Sequence, residues 1–214
     1  MNRSELVRIG VQGLHGDFLT IEQARGVVVF AHGSGSSRAS PRNRFVAEVL
    51  HGYQLSTLLF DLLTEDEAED RANVFDIALL SRRMTEALDW LAVRDEIAGQ
   101  PIGLFGASTG AAAALCAAAD RPTQVAAVVS RGGRPDLAAA HMVRVRSPTL
   151  LIVGGDDTEV LRLNRQALAV LRCEKRLEVV PGSTHLFEEP GALEVVARLA
   201  GNWFVDHCPR VKSS

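Results

Sequence analysis

Apolar residues along this chain fall into short continuous runs, separated by longer stretches in which apolar positions recur at helical spacing. A continuous run of about four to eight apolar residues is typical of a strand that is covered on both faces, as in a parallel sheet. Two such runs, VVVFAHG and LSTLLFDLL, predict buried strands, and IGLFGA, VAAVVS, TLLIVGG and RLEVVPG are four further strand candidates.

The stretches between these runs predict helices. Apolar residues at spacings of three and four mark residues 72–94 as an amphipathic helix. Pro41 is suited to the first turn of another helix, and Gly52 is suited to its end. Three more helices are predicted over residues 109–119, 158–171 and 191–206.

The N-terminal residues follow a different pattern, because apolar and polar positions alternate in VRIGVQG and LHGDFLTI. This alternation predicts an antiparallel hairpin with its turn between Gly13 and Gly16. With the hairpin included, eight strands joined by helical crossovers predict an α/β fold with one mostly parallel sheet flanked by helices. No linker or internal repeat divides the chain, so residues 1–214 are predicted to form a single domain. The acidic stretch at 64–70 is interpreted as a solvated loop.

Composition and charge narrow the classes of function. A net charge of −3 disfavours a general nucleic-acid binder, which normally carries a basic face. The three cysteines form no CxxC pair, which fits a reducing compartment and not a disulfide framework or a zinc site. No apolar signal core is present at the N-terminus, and no apolar run approaches the roughly 20 residues needed to cross a bilayer. We therefore expect a cytoplasmic protein with no nucleic-acid or membrane partner.

The clearest chemical signal is Gly106-Ala107-Ser108-Thr109-Gly110, which follows the strand IGLFGA and precedes the run AAAALCAAA. These residues match G-x-S-x-G, the turn that displays a nucleophilic serine between a strand and a helix. Glycines on either side of the serine let the strand and the helix approach closely. An ordinary small-residue turn is the alternative. A nucleophile turn requires a strand before the serine and a helix after it, and both are predicted here. Ser108 is therefore the candidate nucleophile.

A serine hydroxyl needs a base, and the base needs an acid that orients it. Among six histidines, His185 lies in the loop after the last predicted strand and is the candidate base. His32 ends a buried strand, and we assign it a structural hydrogen-bonding role. The acid is expected after the strand TLLIVGG, where Asp156 and Asp157 are adjacent. One of them can instead cap the following helix, so the residues alone favour Asp157 without settling the choice.

These segments resemble the α/β-hydrolase superfamily, and within it the dienelactone-hydrolase-like family. The resemblance extends from about Val27 to Phe204 and is carried by HGSGSS, FGASTG, LLIVGGDD and GSTHLFEEPG. It implies the α/β-hydrolase fold, and it places the acid three residues after the glycine that ends the strand, which is Asp157. Dienelactone hydrolases proper use cysteine as the nucleophile, whereas this chain has Ser108 at that position. The resemblance therefore implies a fold and a reaction class more than a substrate.

The resemblance also implies how the site is completed. The backbone N–H of Thr109, directly after the nucleophile, is one expected oxyanion donor, and the resemblance assigns the second donor to Ser34. Only 18 residues separate Ser130 from Thr149, which is too few for the cap domain that many α/β-hydrolases insert there. We therefore expect a site without a cap domain, roofed by short loops.

Arginines near the predicted site raise the question of an anionic substrate. Arg131 follows the strand next to the nucleophile turn, and a guanidinium there can bind a carboxylate or phosphate through two hydrogen bonds. Pairing with the acidic residues at 65–70 is the alternative, and the sequence leaves it open for Arg131. For Arg38, Arg42 and Arg44 that pairing is the preferred interpretation, since surface ion pairs are common.

Together these residues predict a serine hydrolase that cleaves small carboxylic esters or lactones through a Ser-His-Asp triad and an acyl-enzyme intermediate. We expect no metal or organic cofactor, because no cluster of residues has metal-ligand spacing, and a small ester or lactone as the partner. A thioesterase or acyltransferase would use the same triad. From a different class, a ligand-binding protein that retains the pocket with little turnover is the alternative.

Overall fold

The computed structural model describes residues 2–209, which contain eight strands and eight α-helices. The strands are β1 (Arg3–Ile9), β2 (Leu14–Thr20), β3 (Gly26–Ala31), β4 (Leu55–Phe60), β5 (Ile102–Ala107), β6 (Val125–Arg131), β7 (Thr149–Gly154) and β8 (Lys175–Val180). The helices are α1 (Pro41–Gly52), α2 (Glu65–Glu69), α3 (Arg71–Phe75), α4 (Ile77–Ala92), α5 (Thr109–Asp120), α6 (Ala139–Met142), α7 (Thr158–Val170) and α8 (Ala192–His207).

All eight strands belong to one sheet, in the order β1-β2-β4-β3-β5-β6-β7-β8. The β1–β2 hairpin is antiparallel and joins the sheet through an antiparallel pairing of β2 with β4. The remaining neighbours are parallel, so β3 to β8 all end at the same edge of the sheet. The predicted α/β fold with one mostly parallel sheet is confirmed.

Helices cover both faces of this sheet. On one face α1 and α8 enclose a core that includes Phe30, Phe105 and Phe204. On the other face α4 and α5 cover a second core, to which Phe60 and Leu104 belong. Every residue of β3, β4, β5 and β7 is buried, which explains why these strands are continuous apolar runs in the sequence. Between residues 2 and 209, no helix has the length and apolar character required to span a membrane.

The segment between β4 and β5 differs from the prediction. One helix over 72–94 and a solvated loop before it were predicted, but α2, α3 and α4 follow one another here. Each begins after a residue whose side chain accepts a hydrogen bond from a first-turn N–H, namely Thr64, Asp70 and Asp76. Thr64 and Glu67 form a reciprocal capping box. These caps fix where each helix starts, although the apolar spacing continues across them.

The turn of the N-terminal hairpin also differs from its predicted position. The turn occupies residues 10–13, and Gly16 lies inside β2 instead of ending the turn. A Cβ atom on Gly16 would lie 2.9 Å from Val7 Cγ2 and 3.2 Å from Phe60 Cβ. This glycine therefore permits close packing within the sheet.

The first turn of α5 lies directly against the end of β3. A Cβ atom on Gly110 would lie 2.3 Å from the carbonyl oxygen of Ala31 and 2.4 Å from that of His32. On the β5 side, a Cβ atom on Gly106 would lie 2.4 Å from Ala111 Cα. The two glycines of the G-x-S-x-G pattern therefore allow strand and helix backbones to touch.

We expect Gly110→Ala to lower the free energy of unfolding by about 2–3 kcal/mol, because the new methyl group would overlap backbone oxygens of β3. Gly52→Ala is the matched control, since a Cβ atom there meets nothing within 4 Å. The control should leave stability unchanged or raise it by up to about 1 kcal/mol. Urea denaturation measures both, and equal stability of the two variants would contradict the close contact.

Candidate active site

Ser108 lies in the turn between β5 and α5, at the edge where the parallel strands end. Its backbone has φ 52° and ψ −119°, a conformation that is strained for a residue with a Cβ atom. The backbone N–H of Ser108 donates to the carbonyl oxygen of Arg131 at 3.1 Å, and its own carbonyl oxygen accepts from Ala111 and Arg134 at 3.1 Å each. These bonds hold the turn on both sides, while the Ser108 side chain makes no capping bond to α5.

Three of the predicted side chains meet at this edge. His185 Nε2 lies 3.3 Å from Ser108 Oγ, and His185 Nδ1 lies 2.6 Å from Asp157 Oδ2. Because a carboxylate only accepts hydrogen bonds, Nδ1 carries a proton. In the neutral ring Nε2 is then the acceptor, and it faces the serine hydroxyl. The arrangement can therefore transfer a proton from Ser108 to His185.

The loops that carry these side chains pack directly on one another. The N–H of Asp156, after β7, donates to the carbonyl oxygen of Ser183 at 3.0 Å. A Cβ atom on Gly154 would lie 2.2 Å from that same oxygen, and one on Gly132 would lie 3.2 Å from the carbonyl oxygen of His185. The segment that ends in His185 is therefore held closely against the ends of β6 and β7.

The two adjacent aspartates occupy different surroundings. Asp157 is the N-cap residue of α7, but its side chain makes no capping bond because it is directed to His185. Its side chain is 15% exposed. Asp156 is exposed to solvent. The structure thus brings Asp157, and not Asp156, to His185.

The expected oxyanion donors lie on either side of Ser108. Thr109 begins α5, so its N–H belongs to the first turn, where no carbonyl of the helix can accept it. The loop after β3 packs on Ser108 from the other side, since a Cβ atom on Gly33 would lie 3.1 Å from Ser108 Cβ. Ser34 follows Gly33 in this loop and is exposed. Ser34 lines the same cavity as Ser108, and it lines a second cavity together with Thr109.

His32 connects this loop to the end of β4. Its Nε2 accepts from the N–H of Leu62 at 3.0 Å, and its Nδ1 donates to the carbonyl oxygen of Gly33 at 3.0 Å. Burial lowers the pKa of His32, so the ring stays neutral near neutral pH and keeps both bonds. The structural role predicted for His32 is confirmed.

Two cavities meet at the loop of residues 33–36. The larger cavity has a volume of about 740 Å³ and extends from Thr109 to the hairpin turn before β2. The smaller cavity has a volume of about 170 Å³ and lies between the start of α1 and the end of β6. Ser108 and His185 line the smaller cavity.

Arg131 lies in the wall of the smaller cavity and is only 7% exposed. Its Nη2 donates to Asn43 Oδ1 at 3.4 Å, whereas its Nε and Nη1 are buried without a partner among residues 2–209. Burial, with a smaller contribution from Arg42, lowers the pKa of Arg131 to about 10. Asn43 was not singled out from the sequence, although the Ser40-Pro41 helix start places it in the first turn of α1.

The arginines after β3 form ion pairs, but not with the predicted acids. The acidic residues at 65–70 were expected as partners; of these, Glu67 binds Arg83 at 2.7 Å instead. Because β2 lies beside β4, other carboxylates come near the loop after β3. The observed pairs are Arg38–Asp61, Arg38–Asp17, Arg44–Asp17 and Arg42–Glu188.

The cysteines do not line either cavity beside Ser108. Cys116 lies on α5 in the core, and burial raises its pKa to about 11. Burial likewise raises the pKa of Cys208 to about 12. Within residues 2–209, no three His, Cys, Asp or Glu side chains are grouped so that they could hold a metal ion.

Comparisons with known proteins agree on the family and the fold. The family model described as the dienelactone hydrolase family matches residues 21–202. The crystal structure of a dienelactone hydrolase from Anabaena variabilis is 51% identical, with a TM-score of 0.93 over 96% of this chain and 98% of that chain. Est1E from Butyrivibrio proteoclasticus shares the fold at 14% identity, with a TM-score of 0.80 over 94% of this chain and 98% of that one. The predicted α/β-hydrolase fold is confirmed.

A curated relative is longer than this chain. A protein of Mycobacterium tuberculosis strain H37Rv, named "Putative phosphoribosyl transferase", is 58% identical over 207 residues. The match covers 96% of this chain and 47% of that protein. The chain therefore spans about half the length of the curated relative.

The strained backbone at Ser108 leads to a prediction about stability. We expect Ser108→Gly to be more stable than Ser108→Ala by about 1–2 kcal/mol, because glycine adopts this conformation without a steric cost. Ser81, inside α4, is the matched control. There, Ser81→Ala should be more stable than Ser81→Gly by about 1 kcal/mol. Urea denaturation of the four variants measures both differences. If the alanine variant were more stable than the glycine variant at residue 108 as well as at residue 81, the backbone of residue 108 would not be strained.

Proposed function

Because the chain belongs to the dienelactone hydrolase family, we propose that it is a serine hydrolase that cleaves small carboxylic esters or lactones. The family and the fold support hydrolase activity in general. The observation that carries the finer proposal is the hydrogen-bonded series Asp157–His185–Ser108, with distances of 2.6 and 3.3 Å. This order of acid, base and hydroxyl is the one that activates a serine.

In the proposed reaction, Ser108 Oγ attacks the acyl carbon of the substrate while His185 Nε2 accepts the hydroxyl proton. Asp157 remains ionised, orients the ring and stabilises the imidazolium that forms. The backbone N–H groups of Thr109 and Ser34 bind the negative oxygen of the tetrahedral intermediate. His185 then donates its proton to the leaving alkoxide oxygen as the ester C–O bond breaks, which leaves an acyl group on Ser108.

Water completes the cycle. His185 removes a proton from water, the resulting hydroxide attacks the acyl carbon, and the bond to Ser108 Oγ breaks as the proton returns to that oxygen. An ester gives an acid and an alcohol, and a lactone gives a single hydroxy acid. The proposed cycle uses the substrate, water, the three named side chains and the two backbone N–H groups.

Ser108 is a more suitable nucleophile in this chain than Cys116. Ser108 occupies the turn where dienelactone hydrolases proper have cysteine, and an alcohol depends more strongly on its base than a thiol does. The short contact between His185 and Asp157 supports a serine nucleophile, because it orients the base that the serine hydroxyl needs. Cys116 is an unsuitable replacement, because its thiol is buried in the core and its pKa is raised to about 11.

The surroundings of Ser108 support a small substrate. Between β6 and β7 the chain forms only a short 3₁₀ helix and α6, which leaves no room for a cap domain. The cavity that contains Ser108 and His185 has a volume of about 170 Å³, enough for a short acyl group. Hydrolysis of thioesters, or transfer of the acyl group to another acceptor, would use the same groups and remains the alternative within this class.

The transferase name of the mycobacterial relative is not carried to this chain. This chain matches 47% of that protein, so the named activity can reside in the part that has no counterpart here. A ligand-binding protein with little turnover is the second candidate, since its pocket would look the same. Reaction with a fluorophosphonate distinguishes the two, because only an activated serine is labelled quickly.

We expect Ser108→Ala to remove fluorophosphonate labelling and to lower kcat for 4-nitrophenyl acetate by about 10³-fold or more, because the nucleophile is lost. Ser81→Ala is the control, since Ser81 lies on α4 and lines neither cavity. Steady-state kinetics and mass spectrometry of labelled protein measure both effects. Activity of Ser108→Ala within tenfold of the parent enzyme would refute the proposal.

A second prediction separates the adjacent aspartates. Asp157→Asn should lower kcat by about 10²–10⁴-fold, because an amide can stabilise the wrong tautomer of His185. Asp156→Asn removes the same charge one residue away and should cost less than about tenfold. A larger loss for Asp156→Asn would mean that the acid has been assigned to the wrong residue.

A further inference from the structure

Arg131 carries a buried charge that no acid in its surroundings balances. Arg131 is only 7% exposed, and the one hydrogen bond of its side chain within residues 2–209 goes to the neutral amide of Asn43, at 3.4 Å. None of the described residues that line the smaller cavity is an aspartate or a glutamate. A buried cation without a counterion strongly destabilises a fold, so its presence needs a reason. With a pKa of about 10 the guanidinium is still charged at neutral pH.

The same cavity contains further positive potential. Arg42 lies in its wall, and the Nη1 of Arg42 donates at 3.1 Å to Glu188, whose side chain is 64% exposed and does not line the cavity. The Nε of Arg42 is buried and has no partner among the described residues. Helix α1 has 12 residues and begins at this cavity, which therefore receives the positive end of its dipole.

We propose that the smaller cavity binds a phosphate group of the substrate, so that the enzyme hydrolyses an ester or lactone that carries a phosphate a few atoms from its acyl carbon. This proposal rests on the proposed hydrolase function, because it names the substrate class of the same site. Ser108 and His185 line the same cavity as Arg131, which limits the separation between the anion and the reacting carbon.

A phosphate fits these donors better than a carboxylate does. Three nitrogens, which together carry four N–H groups, are buried without an acceptor among the described residues: Nε and Nη1 of Arg131 and Nε of Arg42. A phosphate monoester offers three terminal oxygens and nearly two negative charges, whereas a carboxylate offers two oxygens and one charge. A volume of about 170 Å³ holds such a group together with a short acyl segment, while the remainder of the substrate extends into the cavity of about 740 Å³.

Binding of inorganic phosphate tests the pocket without any turnover. Calorimetry on Ser108→Ala should show that phosphate binds at least about tenfold more tightly than acetate, and that acetamide does not bind measurably. Adding Arg131→Met should weaken phosphate binding by about 10–100-fold, the effect of losing a charged hydrogen-bond donor. Arg172→Ala is the control of equal charge change, because Arg172 is exposed between α7 and β8 at the opposite edge of the sheet. That control should bind phosphate as tightly as Ser108→Ala alone.

Thermal denaturation separates a binding role from a structural one. Arg131→Met should unfold at the same or a higher temperature than the parent in the absence of phosphate, because an unbalanced buried charge is replaced by an apolar side chain of similar length. Phosphate should raise the unfolding temperature of the parent but not of Arg131→Met. A structural arginine would give the opposite result, with a destabilised variant and an unchanged response to phosphate. If Arg131→Met does not fold, Arg131→Lys gives the same comparison, with phosphate binding reduced but retained.

Kinetics connect the pocket to the reaction. The 4-nitrophenyl esters of 3-phosphonopropionic acid, succinic acid and butyric acid have acyl chains of similar length and differ in charge. We expect kcat/KM to decrease in that order for the parent, and the ratio between the phosphonate and butyrate esters to fall by about 10–100-fold in Arg131→Met. Equal kcat/KM for the three esters, or a preference for succinate, would overturn the phosphate proposal while leaving the hydrolase intact. If phosphate binds through Arg131 but no ester is hydrolysed, the proposed hydrolase function is overturned and the phosphate-binding site is still supported.

Discussion

The contact between the first turn of α5 and the end of β3 determines the geometry of the whole candidate site. Gly110 allows this contact, since any larger residue would place a Cβ atom 2.3 Å from the carbonyl oxygen of Ala31. The close approach compresses the connection between β5 and α5 into one residue, Ser108, with φ of 52°. It also brings the loop after β3, which contains Ser34, against Ser108. A looser junction would separate Ser108 from the loop that contains Ser34, the second expected oxyanion donor.

Polar groups around Ser108 fall into two electrostatic classes. His185 and Asp157 bind each other at 2.6 Å, and His32 uses both ring nitrogens, so these side chains are fixed before any substrate arrives. Arg131 is different, because two of its three guanidinium nitrogens have no partner within residues 2–209. Groups of the first class hold the geometry of the candidate site. A group of the second class costs stability in the free protein and favours the binding of an opposite charge.

The sequence predicts most of the fold because β3, β4, β5 and β7 are fully buried and therefore appear as continuous apolar runs. It also identifies Ser108, Asp157 and His185, which the structure brings within hydrogen-bonding distance, although their roles remain a proposal. The three-helix segment after β4 was missed, because apolar periodicity was given more weight than the N-cap residues. The ion pairs of the 38–44 arginines were assigned wrongly because their partners depend on strand order, which no local pattern contains. The contact of Asn43 with Arg131 joins residues 88 positions apart, and only the folded sheet brings them together.

The two cavities differ in which parts of the fold form their walls. The smaller cavity is bordered by the end of β6, the start of α1, the residues around Ser108 and the loops after β3 and β8. The larger cavity is bordered by the turn of the β1–β2 hairpin, where residues 10–13 lie outside the parallel part of the sheet. Insertions and substitutions are tolerated best in such turns. Changes in this peripheral hairpin can therefore reshape the larger cavity without altering Ser108, His185 or Arg131, which line the smaller one.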